Sequence, residues 1–155
     1  MKVSILSFAL AALLFAPLSA LPADSTPAVK ADPAIEQATG AVARKDWPQA
    51  QAVLKDALSR DPSNADYHNL YAYSIRKGSN PDMNLVFKHY NEALRIDPKH
   101  RGAHEYIGEA YLMVGNLPKA KEHLARLDKL CLFGCPEYRD LKKAIAAYES
   151  KSAKR

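Results

Sequence analysis

Three stretches of this chain fall into register when set beneath one another: DWPQAQAVLKDALSRDPSN (46–64), DMNLVFKHYNEALRIDPKH (82–100) and NLPKAKEHLARLDKLCLFG (116–134). The Asp-Pro steps at Asp61-Pro62 and Asp97-Pro98 lie 36 residues apart. Between the stretches run NADYHNLYAYSIRKG (64–78) and RGAHEYIGEAYLMVG (101–115), with apolar or small residues at helical spacing. Proline cannot continue a helix interior, so each Asp-Pro marks a turn between periodic segments. The unit is therefore helix, turn, helix, and a period of this length means a stack of repeats.

Small residues such as Ala72 and Gly108 let two helix axes approach closely, while Tyr71, Tyr90, Tyr111 and Leu124 fill the neighbouring space. Burying one Leu or Tyr in this way stabilises by roughly 1.5–3 kcal/mol. One unit cannot cover its own apolar face, so the core arises only when units stack.

The pattern resembles the tetratricopeptide repeat over roughly Ala31 to Phe133. The third unit carries Ile107-Gly108 as the large-small pair, Tyr111 as the first-helix aromatic, Ala120 as the second-helix alanine and Leu124 at its aromatic position. It departs at Leu127 and Leu132, where the family has alanine and proline. The second unit offers Tyr71-Ala72, Ile75, Val86, Tyr90, Ala93 and Pro98, with about two residues inserted at Gly78-Ser79-Asn80-Pro81. The first keeps Ala50, Leu54, Ala57 and Pro62, whereas its first helix shows only Gln37, Ala38 and Ala41. The resemblance implies an all-α fold of antiparallel helix-turn-helix repeats stacked as a short right-handed solenoid of three units. PEYRDLKKAIAAYES (136–150) adds Tyr138, Leu141, Ile145 and Tyr148 at spacings of three and four, a capping helix with one apolar stripe.

The flanks read differently. Lys2, the apolar run Val3 to Ala16 and the small residues up to Ala20 have the form of a signal peptide, expected over 1–20. That run is about 14 residues, short of the roughly 20 that span a bilayer, although a retained N-terminal anchor is the other reading. Residues 21–33, LPADSTPAVKADP, read as a Pro-rich linker, the helical domain as 34–150 and residues 151–155 as a basic tail. The expected location is thus periplasmic or secreted.

The 155 residues carry 22 Lys and Arg against 17 Asp and Glu, a net charge of +5. Lys2 belongs to the expected leader, and Lys151, Lys154 and Arg155 to the tail. The repeats themselves are close to neutral, with acids and bases interleaved, which argues against a nucleic-acid partner.

Five histidines invite a metal reading. His68 and His104 share one position of successive first helices, however, and His89 and His123 one position of successive second helices, which favours packing over ligation. His100 belongs to a turn, and no His-Glu-x-x-His segment occurs. Cys131 and Cys135 stand where the last repeat meets the capping helix, with Gly134 suited to a left-handed turn and Pro136 to a first helical position. In an exported chain such a pair reads first as a disulfide. The spacing is also similar to that of copper-carrying proteins, in which two thiolates and a histidine hold Cu(I); His123 is the nearest histidine in sequence. Thiol-disulfide exchange is a third reading.

No Gly-rich phosphate loop and no Gly-x-Ser-x-Gly elbow is present, so the sequence points to no enzyme and no cofactor. The resemblance implies instead a protein partner, whose peptide or helix lies on the concave face formed by the first helices. Carried onto this sequence, that face comprises Asp66, Asn69, Tyr73, Arg76 and Lys77 in the second unit and Glu105, Glu109, Leu112 and Met113 in the third. The family's carboxylate clamp is not expected, because Ile35, Thr39, Gly102 and Tyr106 stand at its positions. Charge reversal at Arg76 and Lys77 is expected to weaken partner capture without unfolding.

Overall fold

A computed structural model describes residues 32–132 and 134–154. The expected leader and nearly all of the linker lie outside the described residues. Among these residues seven helices follow one another: α1 (Pro33–Ala43), α2 (Trp47–Arg60), α3 (Ala65–Arg76), α4 (Met83–Ile96), α5 (Arg101–Met113), α6 (Leu117–Leu130) and α7 (Pro136–Ser152). Among the described residues there is no strand. α1, α3 and α5 each pair with their successor, α2 packs on α3, α4 on α5, and α7 lies against both α5 and α6. This is the expected all-α repeat solenoid of three units and a capping helix.

The helix starts are written in the sequence. Asp32, Asp46, Asn64, Asp82, His100 and Asn116 each accept a hydrogen bond from a backbone N–H of the first turn. Such caps stabilise by roughly 0.5–2 kcal/mol each. Asp32 has a second role: its Oδ2 accepts a 2.6 Å hydrogen bond from the Tyr67 hydroxyl, which ties the start of α1 to α3. That bond pushes the Tyr67 hydroxyl up to about 12. The first helix begins at Pro33, with Asp32 as its cap, so the last two residues of the expected linker belong to the folded part. At the other end α7 continues through Ser152, taking the first two residues of the expected tail into the helix.

Turns inside units one and three need a left-handed residue just before the second helix. Gly115 supplies it in the third unit at φ 78°, and Lys45 occupies the equivalent place in the first at φ 58°. A non-glycine residue there is strained by about 1 kcal/mol. Gly134, at φ 77°, makes the turn into α7 as the sequence implies.

The core runs along the stack. Ala38, Leu54 and Ala57 are buried between α1 and α2 with Tyr67 of α3. Ala72, Ile75, Val86, Tyr90, Ile107 and Ala110 fill the middle, and Ala120, Leu127, Leu141 and Ile145 the end. Gly108 explains the close seating of the capping helix: a Cβ there would lie 2.6 Å from Leu141 Cδ2, and Leu141 is fully buried. Leu127, where the family has alanine, is likewise fully buried within this end cluster.

Candidate functional site

The first helices place their groove-side positions in register. Counting each from its first residue, Asp66, Gly102 and Glu137 are second in α3, α5 and α7, and Asn69, Glu105 and Asp140 are fifth. Tyr73 and Glu109 are ninth in α3 and α5. Periodicity of a helix brings the second, fifth and ninth residues to one face, so successive helices lay three parallel rows across the groove.

Structure and expectation differ on how free these residues are. Asp66, Lys77 and Met113 are exposed, and Tyr73, Glu109 and Leu112 half-buried. Asn69, Arg76 and Glu105 are buried, at 5%, 6% and 8% exposure. Arg76 is already paired in charge, although its Nη2 makes no well-aligned hydrogen bond. Its Nη2 lies 2.7 Å from Glu109 Oε2, and its Nε donates to the Tyr90 hydroxyl at 3.3 Å. The guanidinium also lies 5.4 Å from the Tyr73 ring centre and 5.7 Å from that of Tyr106. Lys77, capping the end of α3, sits 6.0 Å from the Tyr73 ring centre. Reversing Arg76 would bury a carboxylate beside Glu109 without a partner, a change that unfolds rather than spares the domain. The expectation of an unharmed fold therefore fails for Arg76 and stands only for Lys77.

The electrostatics of the face are dominated by carboxylates. Burial, with Glu109, Asp140 and Glu137 nearby, pushes the Glu105 carboxyl up to about 8, against the weaker pull of Arg76. Glu105, Glu109, Asp140 and Lys143, with Ala144 and Ala147, line a concavity of about 390 Å³ between α5 and α7. A second hollow, of about 280 Å³, is lined by Asp66, His100, Arg101, Gly102 and Glu137 among others. Asp140 and Glu137 were not among the groove residues read from the sequence. Their signal was available: α7 occupies the place of a further first helix, and the same count along it reaches both.

The histidines form a repeated device. His68 Nε2 lies 3.0 Å from the Pro62 carbonyl oxygen, and its Nδ1 2.8 Å from His89 Nδ1. One unit later, His104 Nε2 lies 3.1 Å from the Pro98 carbonyl and its Nδ1 2.9 Å from His123 Nδ1. A carbonyl only accepts, so Nε2 of His68 and His104 donates. In the neutral rings their Nδ1 then accepts from the partner's Nδ1–H. Each pair joins the first and second helices of one unit to the Asp-Pro turn before it. Burial holds His89 and His123 down at about 4, aided by the facing ring of His68 and His104 respectively. The register reading, packing before ligation, agrees with this geometry. His100 caps α5, as its turn position implies, and its Nε2 meets Asp66 Oδ1 at 3.1 Å.

In this geometry His123, the histidine of the copper-carrier reading, is engaged within its own repeat. Its Nδ1 faces His104 and its ring stacks on Tyr111 at 5.7 Å between centres. Among the described residues no three His, Cys, Asp or Glu side chains converge as a set of metal ligands. The sulfur atoms of Cys131 and Cys135 lie 2.06 Å apart, with their Cα atoms separated by 5.5 Å.

Repeated helix pairs, a groove lined by first helices and a closing helix define a helical-repeat protein of the tetratricopeptide class. Residues 35–82 match the family model described as tetratricopeptide repeat. Over those residues the chain carries tetratricopeptide-repeat sequence, and its helices have the fold of such repeats. It is 28% identical over 111 residues to the TPR repeat-containing thioredoxin TTL4 of Arabidopsis thaliana, covering 70% of this chain and 15% of that relative's length. The TPR2B domain of yeast Sti1, in a complex with pHsp70, superposes with a TM-score of 0.67 at 18% identity, over 76% of this chain and 94% of that one. The type III secretion chaperone SycD of Yersinia enterocolitica, in complex with a peptide of the translocator YopD, gives 0.63 at 15% identity, over 77% and 92%. At such identities the likeness is one of fold. No described helix is long and apolar enough to cross a membrane.

Proposed function

We propose that this protein is a non-catalytic adaptor of the bacterial cell envelope, periplasmic or secreted, which holds an extended or helical segment of a partner protein along the face formed by α3, α5 and α7. The observation that carries this reading is the alignment of the second, fifth and ninth positions of these helices around two adjoining hollows. Solved relatives of the same fold holding a translocator peptide or pHsp70 support it. The signal-like N-terminus supports export, and the approach of Cys131 to Cys135 supports a disulfide formed in an oxidising compartment.

A photo-reactive residue placed at Leu112, in living cells, tests the groove. It should cross-link to a discrete partner segment, whereas the same probe at Lys55, exposed on α2, should not. Cross-links from Lys55 alone would move the interface to the other face. N-terminal sequencing of the protein recovered from the envelope tests export, with Leu21 expected as the new first residue.

A further inference from the structure

Polar groups buried without partners mark where a fold expects something from outside, because each costs roughly 1–3 kcal/mol while unsatisfied. Three such atoms occur among the described residues; one, Arg76 Nη2, makes no well-aligned hydrogen bond but lies 2.7 Å from Glu109 Oε2, so its charge is paired, and the other two are acceptors on the same face. Asn69, 5% exposed, has no donor for its Oδ1, and Glu137 has none for its Oε2, among the described residues. Asn69 projects from α3 onto the first turn of α5, where its amide nitrogen would lie 3.3 Å from a Cβ on Gly102. Gly102 and Glu137 line one hollow, and one turn further along the same helices Glu105 and Asp140 line the other. The unsatisfied acceptors and the carboxylates thus form one continuous strip, built from the second and fifth positions of three successive helices.

We infer that this strip is a well for a cationic side chain, a lysine or arginine presented by the partner segment that lies in the groove. The inference rests on the groove reading and specifies the chemistry of its occupant. The two unfilled groups at the second and fifth positions, Asn69 Oδ1 and Glu137 Oε2, are acceptors, whereas the Arg76 donor left over is already charge-paired with Glu109; an ammonium or guanidinium supplies three to five donors together with positive charge. The cations of the protein itself do not fill the role. Arg76 is held by Glu109 and Tyr90, while Arg101 Nε reaches only Glu137 Oε1, at 3.8 Å, leaving Oε2 bare. Lys143 lines the Glu105 hollow and Lys99, with Asp97, the Glu137 hollow; both lysines are exposed.

The groups facing Glu105 are Glu109 on its own helix, Asp140, Glu137 and Lys143 from α7, and Arg76 from α3. Burial first, and then this excess of carboxylates, raises Glu105 to about 8 and keeps the empty well partly protonated near neutral pH. An arriving cation displaces that proton. Binding should therefore release a proton and tighten as pH rises from about 6 to about 8.

The test uses the full chain and two fluorescein-labelled nonapeptides, one alternating lysine with alanine and one alternating glutamate with alanine. Fluorescence anisotropy should show the lysine peptide binding at least ~10-fold more tightly, about 1.4 kcal/mol. The Glu105→Gln/Asp140→Asn variant should lose most of that preference while its thermal midpoint stays level or rises, because the substitutions relieve like-charge repulsion. Equal affinity for the two peptides, or an unchanged preference in the variant, would overturn the inference. So would tighter binding of the glutamate peptide with NMR shifts at Tyr73 and Leu112, a result that keeps the groove and removes its cationic occupant. Tighter retention of free spermidine than of the lysine peptide would also overturn it, assigning the strip to a small polyamine. The cross-linking experiment judges the groove separately, without reference to charge.

Discussion

Acid should weaken this fold through its two histidine pairs, by an amount that can be worked out. His89 and His123 are held at about 4 in the folded chain against 6.5 when free. The unfolded chain therefore takes up protons that the folded chain refuses. Stability from this source is complete above 6.5, declines as the pH falls, and is exhausted near 4. At about pH 5, one such group forfeits roughly 2 kcal/mol, and two forfeit about twice that. Both rings are half-buried, so solvent screening reduces the sum to about 2 kcal/mol. Glu105 acts in the opposite sense: raised from 4.5 to about 8, it favours the fold below 4.5 and loses that contribution as the pH climbs to about 8. The unmodified protein therefore mixes two opposed slopes. The informative quantity is the difference between it and a His89→Gln/His123→Gln variant, because Glu105 contributes equally to both. Urea unfolding followed by circular dichroism should show the variant less stable at about pH 7.5, with that deficit shrinking by about 2 kcal/mol at about pH 5. A deficit of the same size at both pH values would refute the argument. An NMR titration that placed both rings near 6.5 would refute it equally.

Other perturbations test separate parts of the fold. Gly108→Ala should destabilise the end of the stack by about 1 kcal/mol, the clash with Leu141 outweighing the better helix propensity of alanine, and adding Leu141→Ala should relieve the clash; strictly additive unfolding energies would sink the contact. Lys45→Gly should raise stability by a few tenths to 1 kcal/mol in thermal unfolding, since the left-handed turn suits glycine, and a lower midpoint would contradict the strain. Arg76→Glu should unfold the domain or lower its stability by roughly 3 kcal/mol, whereas Lys77→Glu should leave the melting curve unchanged. Cys131→Ser/Cys135→Ser should cost about 2 kcal/mol relative to the oxidised protein and nothing relative to the reduced one; equal stability of all three would exclude a formed bridge.

Much of the architecture was legible because repeats announce themselves. The Asp-Pro turns and the Ile107-Gly108 pair each act locally, and periodicity reports them directly. The first helix was poorly marked because its buried face is made of Ala38 and Ala41, too small to give a strong apolar rhythm, while the cap at Asp32 looked like part of a Pro-rich linker. Groove positions could be counted, but their burial could not. Arg76 reads as an exposed base until Tyr90, fourteen residues away, and Glu109 of the next unit close around it. The histidine pairs were seen as register and missed as bonds, since which ring nitrogen meets which depends on the packing of two helices across a turn.

The short link between α6 and α7 governs more than local geometry. A solenoid that ends on an open seam can accept a second copy there, and a head-to-tail contact of that kind grows into a filament. In this chain the seam at Gly108 is claimed by Leu141 of a helix tethered only five residues from the end of α6. A tether that short holds α7 over its seat at a local concentration in the millimolar range, far above that of any free copy. Brief opening of α7 is then followed by its own return, and the capping helix serves as a chain terminator that keeps each molecule a finite object.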